Sequence, residues 1–244
     1  MKQLHSDLNK IQQYQSIYMN VSGGTDSALL LFLIAKHIND NNLSTKITPA
    51  AGVEPQPYYI KNDWYVEKIV SIIKSFFPLI NMQNAIITQF EGYTRDKSKD
   101  NPYPKISCMK KMNNKHVENG HYDLIIDAIT SFPPLSELKK YKDLHLATTY
   151  IGPEDRTYTN TRNDAIIQNQ GIDWWQPMIN FHKKDIAKLY EHYDLMDNLF
   201  PYTASCTGNA SDTKNFTDSC KKCFWCLEKY WAFGLFDYPK RLIS

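Results

Sequence analysis

The chain has 244 residues, a length that allows one large domain or one domain with a small appendage. Hydrophobic residues make up 42% of it, enough to build a core and to exclude wholesale disorder. Lys and Arg number 28 against 26 Asp and Glu, so the formal charge is +2, a balance that neither demands nor favours a nucleic-acid partner.

No apolar segment follows Met1-Lys2-Gln3-Leu4, and the run Ala28 to Ala35 is too short to span a bilayer. A soluble, cytoplasmic protein with no membrane partner is expected. Residues 1 to 15 read as a polar helix or a frayed arm. Ile17 to Val21 is an apolar run of strand length, and Ala28-Leu29-Leu30-Leu31-Phe32-Leu33-Ile34-Ala35 reads as a buried helix with Lys36 and His37 near its negative end. Between them lies Ser22-Gly23-Gly24-Thr25-Asp26-Ser27. Paired glycines let a backbone turn sharply and approach a ligand closely. The free N–H groups of the next helical turn then favour an anion. Ser22 and Ser27 add hydroxyls. Asp26 repels an anion, so it either caps the helix or holds a magnesium ion that bridges to phosphates. A kinase-type phosphate loop needs a Lys after its second glycine, and none stands here. A ligand-free glycine turn is the plain alternative.

Further along, Ile47 to Val53 is a candidate second strand, with Pro49 shifting it toward an edge or an early end. Ile60, Trp64, Ile69, Ile72, Ile73 and Phe76 recur at helical spacing over Tyr59 to Phe77, closed by Pro78. Ala85 to Phe90 predicts a strand, and Lys105 to Asn119 a helix with Gly120 as its C-cap. Arg95 to Lys115 carries seven Lys or Arg against two Asp, which reads as a solvated face or as a surface turned to phosphate or RNA. Tyr122 to Ile129 is a buried strand, and Asp127 to Ser131 then falls where the loops of an open parallel sheet line a ligand crevice. Residues 135 to 172 carry little periodicity; Asp155, Arg156 and Arg162 lie in this polar stretch. Trp174 to Ile179 leads into a helix from His182 to Tyr190, with Ile186, Leu189 and Tyr190 inward. Strands alternating with helices over residues 16 to 193 predict a doubly wound, mostly parallel α/β domain, residues 1–200, followed by a C-terminal segment, 201–244.

That segment holds four of the five cysteines. Thirteen residues separate Cys206 from Cys220, and Cys223 and Cys226 follow at x2 spacing. In a reducing compartment such clustering points to metal rather than disulfides. Four thiolates close a tetrahedral zinc shell, the mark of a structural site. Iron–sulfur is the rival reading, because Cys-x2-Cys-x2-Cys also opens the bacterial ferredoxin run, though the following Cys-Pro is missing. Leu227, Tyr230, Trp231 and Phe233 read as one apolar helix face. Cys108 stands alone in the basic segment and reads as a packed residue or, in a sulfur-transfer enzyme, as a reactive one.

Ser22-Gly23-Gly24-Thr25-Asp26-Ser27 resembles the PP-loop of the N-type ATP pyrophosphatases, the adenine nucleotide alpha hydrolase or HUP-like fold. With the four-cysteine knot it resembles, within them, the 7-cyano-7-deazaguanine synthase family. Pro177-Met178-Ile179 through Lys183 and Ile186 is similar to that family's Pro-Leu-Ile-x-x-x-Lys-x-x-Ile, and Ser205-Cys206 with Cys220 to Cys226 to its cysteine signature, Lys221 standing at its usual glycine. The family's Tyr-Gly-Gln-Arg-His and Val-Pro-Gly-Arg-Asn segments have no counterpart, so the chain resembles a divergent member.

The resemblance implies ATP, Mg²⁺ and Zn²⁺ as cofactors. It implies Ser22, Gly23, Gly24, Thr25, Asp26 and Ser27 as the ATP site, with Asp26 serving magnesium and Lys183 neutralising phosphate charge as the catalytic pair. Cys206, Cys220, Cys223 and Cys226 become the metal ligands. The implied reaction adenylates 7-carboxy-7-deazaguanine, condenses it with ammonia and yields the nitrile. Two other readings stand beside it: a PP-loop enzyme with another target, such as tRNA thiolation or a different amide ligation, and a non-catalytic ATP- or zinc-binding module. Homo-oligomers are compatible with all three.

Overall fold

A computed structural model describes residues 7–55, 62–91, 104–120, 122–131, 133, 137, 166–169, 172–208 and 210–238. The strands are β1 (Ser16–Asn20), β2 (Lys46–Val53), β3 (Ile86–Gln89), β4 (Leu124–Asp127), β5 (Ile167–Asn169) and β6 (Ile172–Trp175). The helices are α1 (Thr25–Asp40), α2 (Asn62–Phe76), α3 (Pro104–Gly120), α4 (Lys183–His192) and α5 (Phe224–Phe233).

The six strands form one sheet in the order β3-β2-β1-β4-β6-β5. Five run parallel and β5 alone pairs antiparallel, with β6. This is the doubly wound, mostly parallel α/β fold. From β1 the chain winds outward to β2 and β3, then returns to the other side of β1 for β4 and β6. The winding thus reverses between β1 and β4, the position at which such sheets open a crevice beyond their carboxyl ends.

Residue alternation along the strands sorts the two faces. Ile17, Met19, Ile47, Ala51, Leu124, Ile126 and Trp175 share the main core with α1, with Val66, Ile69 and Ile73 of α2, and with Ile186, Leu189 and Tyr190 of α4. Every residue from Thr25 to Ala35 is buried except Asp26, so α1 lies inside the fold as its unbroken apolar run predicts. The opposite face carries Tyr18, Ala50 and Ile125, with Tyr122, Ile172 and Trp174 against them, and packs α3. His116 of α3 stacks on Tyr18 with ring centroids 6.1 Å apart and shares a 2.7 Å hydrogen bond with Thr88.

Several expectations need correction. Pro49 does not put β2 at an edge; the strand lies between β1 and β3. Odd residues of β2 face β3: Ile47 N–H donates to Asn81, and Val53 O accepts from Phe90. The β3 ladder begins only at the Ala50–Ile86 pair, so the N–H that Pro49 lacks falls in the gap before it. The N-terminal arm is not simply polar: around a short 3₁₀ turn at Asn9–Gln13, Leu8, Ile11 and Tyr14 are buried in the core. Gly120 is the last residue of α3 rather than its cap. The second helix begins at Asn62; Ile60 lies outside the described residues. So do Asp155, Arg156, Arg162, residues 95–103 of the basic segment, and the side chain of Cys108. The β5–β6 hairpin has its first strand inside the stretch that carried no readable periodicity.

Candidate functional site

The loop after β1 is built by its own hydroxyls. Gly23 takes φ 84°, a conformation that suits glycine, and Gly24 opens α1 in an extended conformation with no side-chain cap. Ser22 N–H donates to Ser27 Oγ at 3.1 Å, and Ser27 Oγ–H to the Gly24 carbonyl at 3.2 Å. Gly24 N–H donates to Ser22 Oγ at 3.3 Å. These bonds hold the loop open around the free N–H groups of the first turn of α1.

Asp26 does not cap that helix, which corrects one of its two expected roles. Its carboxylate receives the Lys183 ammonium at 2.6 Å and the Thr130 hydroxyl at 3.2 Å, both on Oδ2. Oδ1 accepts only a long bond of 3.4 Å from Thr25 Oγ1 among the bonds described. The two expected catalytic residues, 157 positions apart in sequence, are therefore in direct contact. Lys183 reaches the loop from the first turn of α4, which packs on α1. The capping box of His182 and Asp185 fixes the start of α4, and Tyr190, about two turns further along, donates to the Thr25 carbonyl at 3.0 Å.

A second carboxylate was not foreseen. Glu228 of α5, 1% exposed, lies 3.5 Å from Lys183 Nζ. Burial alone would lower the Lys183 pKa, but Asp26 and Glu228 outweigh it and hold it above the ordinary lysine range. The trio sums to one negative charge beside the loop. The available sequence signal was the Glu228-Lys229 pair inside an otherwise apolar helix, where a charge is rarely buried without a partner. Lys229 is likewise buried and donates to Thr203 O, Thr203 Oγ1 and the Asp237 carboxylate.

The wall after β4 is partly as expected. Thr130 touches Asp26, and Ser131 bonds to Phe181 and Ile179 next to α4. Asp127 faces the other side of the sheet, where it accepts from Asn20 Nδ2 at 2.6 Å and from Trp174 Nε1 at 2.7 Å. Because the Asn20 amino group is committed to Asp127, its carbonyl points away. That oxygen is buried with no hydrogen-bond partner among the described residues, as are Tyr18 Oη and Thr48 Oγ1 on the same face.

The four cysteines come together. Sγ of Cys206, Cys220, Cys223 and Cys226 all lie within 4.8 Å of one another, with Cys220 and Cys226 at 3.9 Å. Four thiolates at about 2.3 Å from one zinc would sit about 3.8 Å apart, so the donor set fits a closed tetrahedral ion. Gly208 N–H and Cys220 N–H donate to the Cys206 sulfur and Cys223 N–H to the Cys220 sulfur, bonds that favour thiolates. Hydrogen bonds among the sulfurs pull Cys220 far below the ordinary thiol range and Cys223 to about 7, and push Cys206 and Cys226 up. Lys221 has φ 59°, which explains why a glycine suits that position and what its side chain costs in strain. On α5, Leu227 and Trp231 are buried as expected.

The cysteine segment also touches the loop after β1. Ala204 N–H donates to Gly23 O at 2.8 Å, two residues before Cys206. Asp237 holds the next two N–H groups, of Ser205 and Cys206, at 2.9 and 3.0 Å. No helix among the described residues is long and apolar enough to cross a membrane.

No protein-family model matches the sequence, and no curated protein matches it. Among solved structures, the chain is similar to a tRNA thiolase of Methanococcus maripaludis solved with its 4Fe–4S cluster, at 14% identity and TM-score 0.49 over 80% of this chain and 63% of that one. It is similar to an FMN adenylyltransferase of Candida glabrata solved with FMN and an ATP analogue, at 12% identity and TM-score 0.45 over 87% and 64%. It is also similar to the NMN synthetase of Francisella tularensis, at 11% identity and TM-score 0.46 over 84% and 75%. The chain spans less than two thirds of the first two proteins it matches.

Proposed function

We propose that this protein is a PP-loop enzyme that cleaves ATP to AMP and pyrophosphate in order to adenylate a carboxylate and condense it with ammonia. The observation that carries the reading is the Asp26–Lys183 contact at the mouth of the Ser22–Ser27 loop, on the side of the sheet where the winding reverses. The Gly23, Gly24 and Thr25 backbone, with the Ser22 and Ser27 hydroxyls, binds the departing pyrophosphate. Asp26 Oδ1 is the oxygen left to hold magnesium, which supplies charge neutralisation on the phosphates. Lys183 offsets charge that builds on the bridging oxygen as it breaks from the α-phosphorus. The substrate carboxylate attacks that phosphorus, pyrophosphate leaves, and ammonia displaces AMP from the acyl-adenylate to give the amide.

The more specific reading is that the carboxylate is 7-carboxy-7-deazaguanine. A second ATP then adenylates the amide oxygen, and loss of AMP and a proton gives 7-cyano-7-deazaguanine. The ring would lie against Asn20, Asp127 and Trp174, where the Asn20 and Asp127 oxygens suit N–H groups, about 7 Å along β1 from Ser22. We further propose Cys206, Cys220, Cys223 and Cys226 as ligands of one structural zinc, in a segment spanning 201–244.

A second reading is favoured by one observation: the cysteine cluster begins two residues from a hydrogen bond to the loop, a closeness that a sulfur-transfer enzyme acting on tRNA would use. Incubation with ATP, magnesium, ammonia and 7-carboxy-7-deazaguanine tests the choice. Nitrile by mass spectrometry, with AMP and pyrophosphate released, is the expected result. ADP as the main nucleotide product overturns the pyrophosphatase reading. AMP release without nitrile, abolished by Cys108→Ser when tRNA is the acceptor, selects sulfur transfer.

A further inference from the structure

The four-cysteine segment meets the nucleotide-type loop at both of its ends. At the start, the Ala204 N–H donates to the carbonyl of Gly23, the one residue of the loop with a left-handed φ. A Cβ on Gly24 would stand 3.7 Å from the Ala204 carbonyl and 3.9 Å from Ser205 Oγ, so the two strands of backbone are already in contact. At the end, Asp26 receives Lys183, and Lys183 is shared with Glu228. Ala204 is two residues before the ligand Cys206, and Glu228 is two residues after Cys226, on the helix that Cys226 helps to begin. One buried cluster ties the two together: Lys229 holds Thr203, and through Asp237 the N–H groups of Ser205 and Cys206.

We infer that the C-terminal segment completes the ATP site, with Glu228 as a positioning residue that shares the Lys183 ammonium with Asp26. The inference rests on the reading of the Ser22–Ser27 loop as an ATP site. With Glu228 charged, the lysine ammonium divides between two carboxylates, and Asp26 keeps negative charge for magnesium. Without it, Lys183 pairs with Asp26 alone and competes with the metal there. Closure of the four thiolates on one ion fixes the spacing between Cys206 and Cys226. It thereby fixes Ala204 against Gly23 and Glu228 against Lys183. Removal of the ion breaks both contacts at once.

The test is calorimetric titration of the full chain with ATP at several magnesium concentrations. Protein with its zinc in place is compared with protein treated with a chelator, and with zinc-loaded Glu228→Gln and Glu228→Asp. Chelation is expected to weaken ATP binding at least tenfold. Glu228→Gln is expected to keep full zinc content and to raise the magnesium needed for half-maximal binding at least threefold, with Glu228→Asp restoring part of it. If chelated protein loses its helices by circular dichroism, the zinc-loaded Glu228 variants decide alone. Unchanged magnesium dependence in Glu228→Gln overturns the inference. So does chelated, still helical protein that binds ATP within twofold of the loaded form. Wild-type protein that binds no ATP in any metal state overturns the reading of the loop itself.

Discussion

Lys183→Met is the most revealing single change, because its cost is separable from catalysis. The lysine is 3% exposed, and its Nζ lies 2.6 Å from Asp26 and 3.5 Å from Glu228. Methionine replaces most of the aliphatic stem, so little cavity is left. What remains is two carboxylates that have lost the cation they shared. Glu228 is 2% exposed at its side chain and has no relief from water; Asp26, at 16%, has some. Removing one partner of a buried pair costs about 3–5 kcal/mol, and the partial exposure of Asp26 puts this case near 3 kcal/mol. For a chain of this size that is a fall in melting temperature of roughly 6–12 °C. The assay is thermal and urea unfolding followed by tryptophan fluorescence, without nucleotide. The double variant Lys183→Met/Glu228→Gln neutralises the more buried of the stranded charges and should recover about half of the loss, a coupling that a double-mutant cycle reads directly. A single variant within about 1 kcal/mol of wild type would refute the buried-network argument. A double variant less stable than the single would refute it as well.

Three further outcomes follow from the same contacts. Asp26→Asn should keep the fold and lower turnover about a hundredfold or more, by removing the carboxylate charge proposed to hold magnesium; wild-type rates with unchanged magnesium dependence, in a coupled pyrophosphate assay, would show that Asp26 serves only Lys183. Cys223→Ala should lower zinc content and melting temperature together, since structural zinc contributes directly to folding; elemental analysis beside a thermal melt checks both, and a brown protein with iron and sulfide would replace zinc by a cluster. His116, whose pKa burial and the neighbouring Lys115 lower, contributes stability that is present above the ordinary histidine pKa and lost as pH falls through its folded value. Denaturant midpoints measured between pH 7 and pH 4 should therefore fall less steeply for His116→Gln than for wild type.

The parts of this fold that were legible in the sequence are those where one local pattern decides the outcome. The run Ala28 to Ala35 is apolar on every side, and only a helix packed all round satisfies it, as α1 is. Ser22 to Ser27 was legible because two glycines and two serines between a strand and a helix leave few other backbone solutions. Pro49 misled because its effect depends on which neighbour its nitrogen faces. That is a property of the β2–β3 register, and no window around residue 49 contains it. The hairpin of β5 and β6 escaped for a related reason: β5 has three residues, too few for alternation to register.

The site shows the same division more sharply. Asp26 and Lys183 were each visible in a motif, but their contact needed α4 to pack on α1, a tertiary fact. Glu228 belonged to no motif, and local reasoning placed it on a helix assigned to the cysteine segment. A buried glutamate followed by a buried lysine is unfavourable in an isolated apolar helix, and becomes tolerable only when each finds an opposite charge elsewhere. Glu228 finds Lys183 and Lys229 finds Asp237, from adjacent positions of α5. Those two demands fix how α5 can sit against α4 and the loop before Cys206. The charges that look misplaced in the sequence of α5 are thus what orient the cysteine segment on the α/β sheet, and they do so through the residue that reaches the loop after β1.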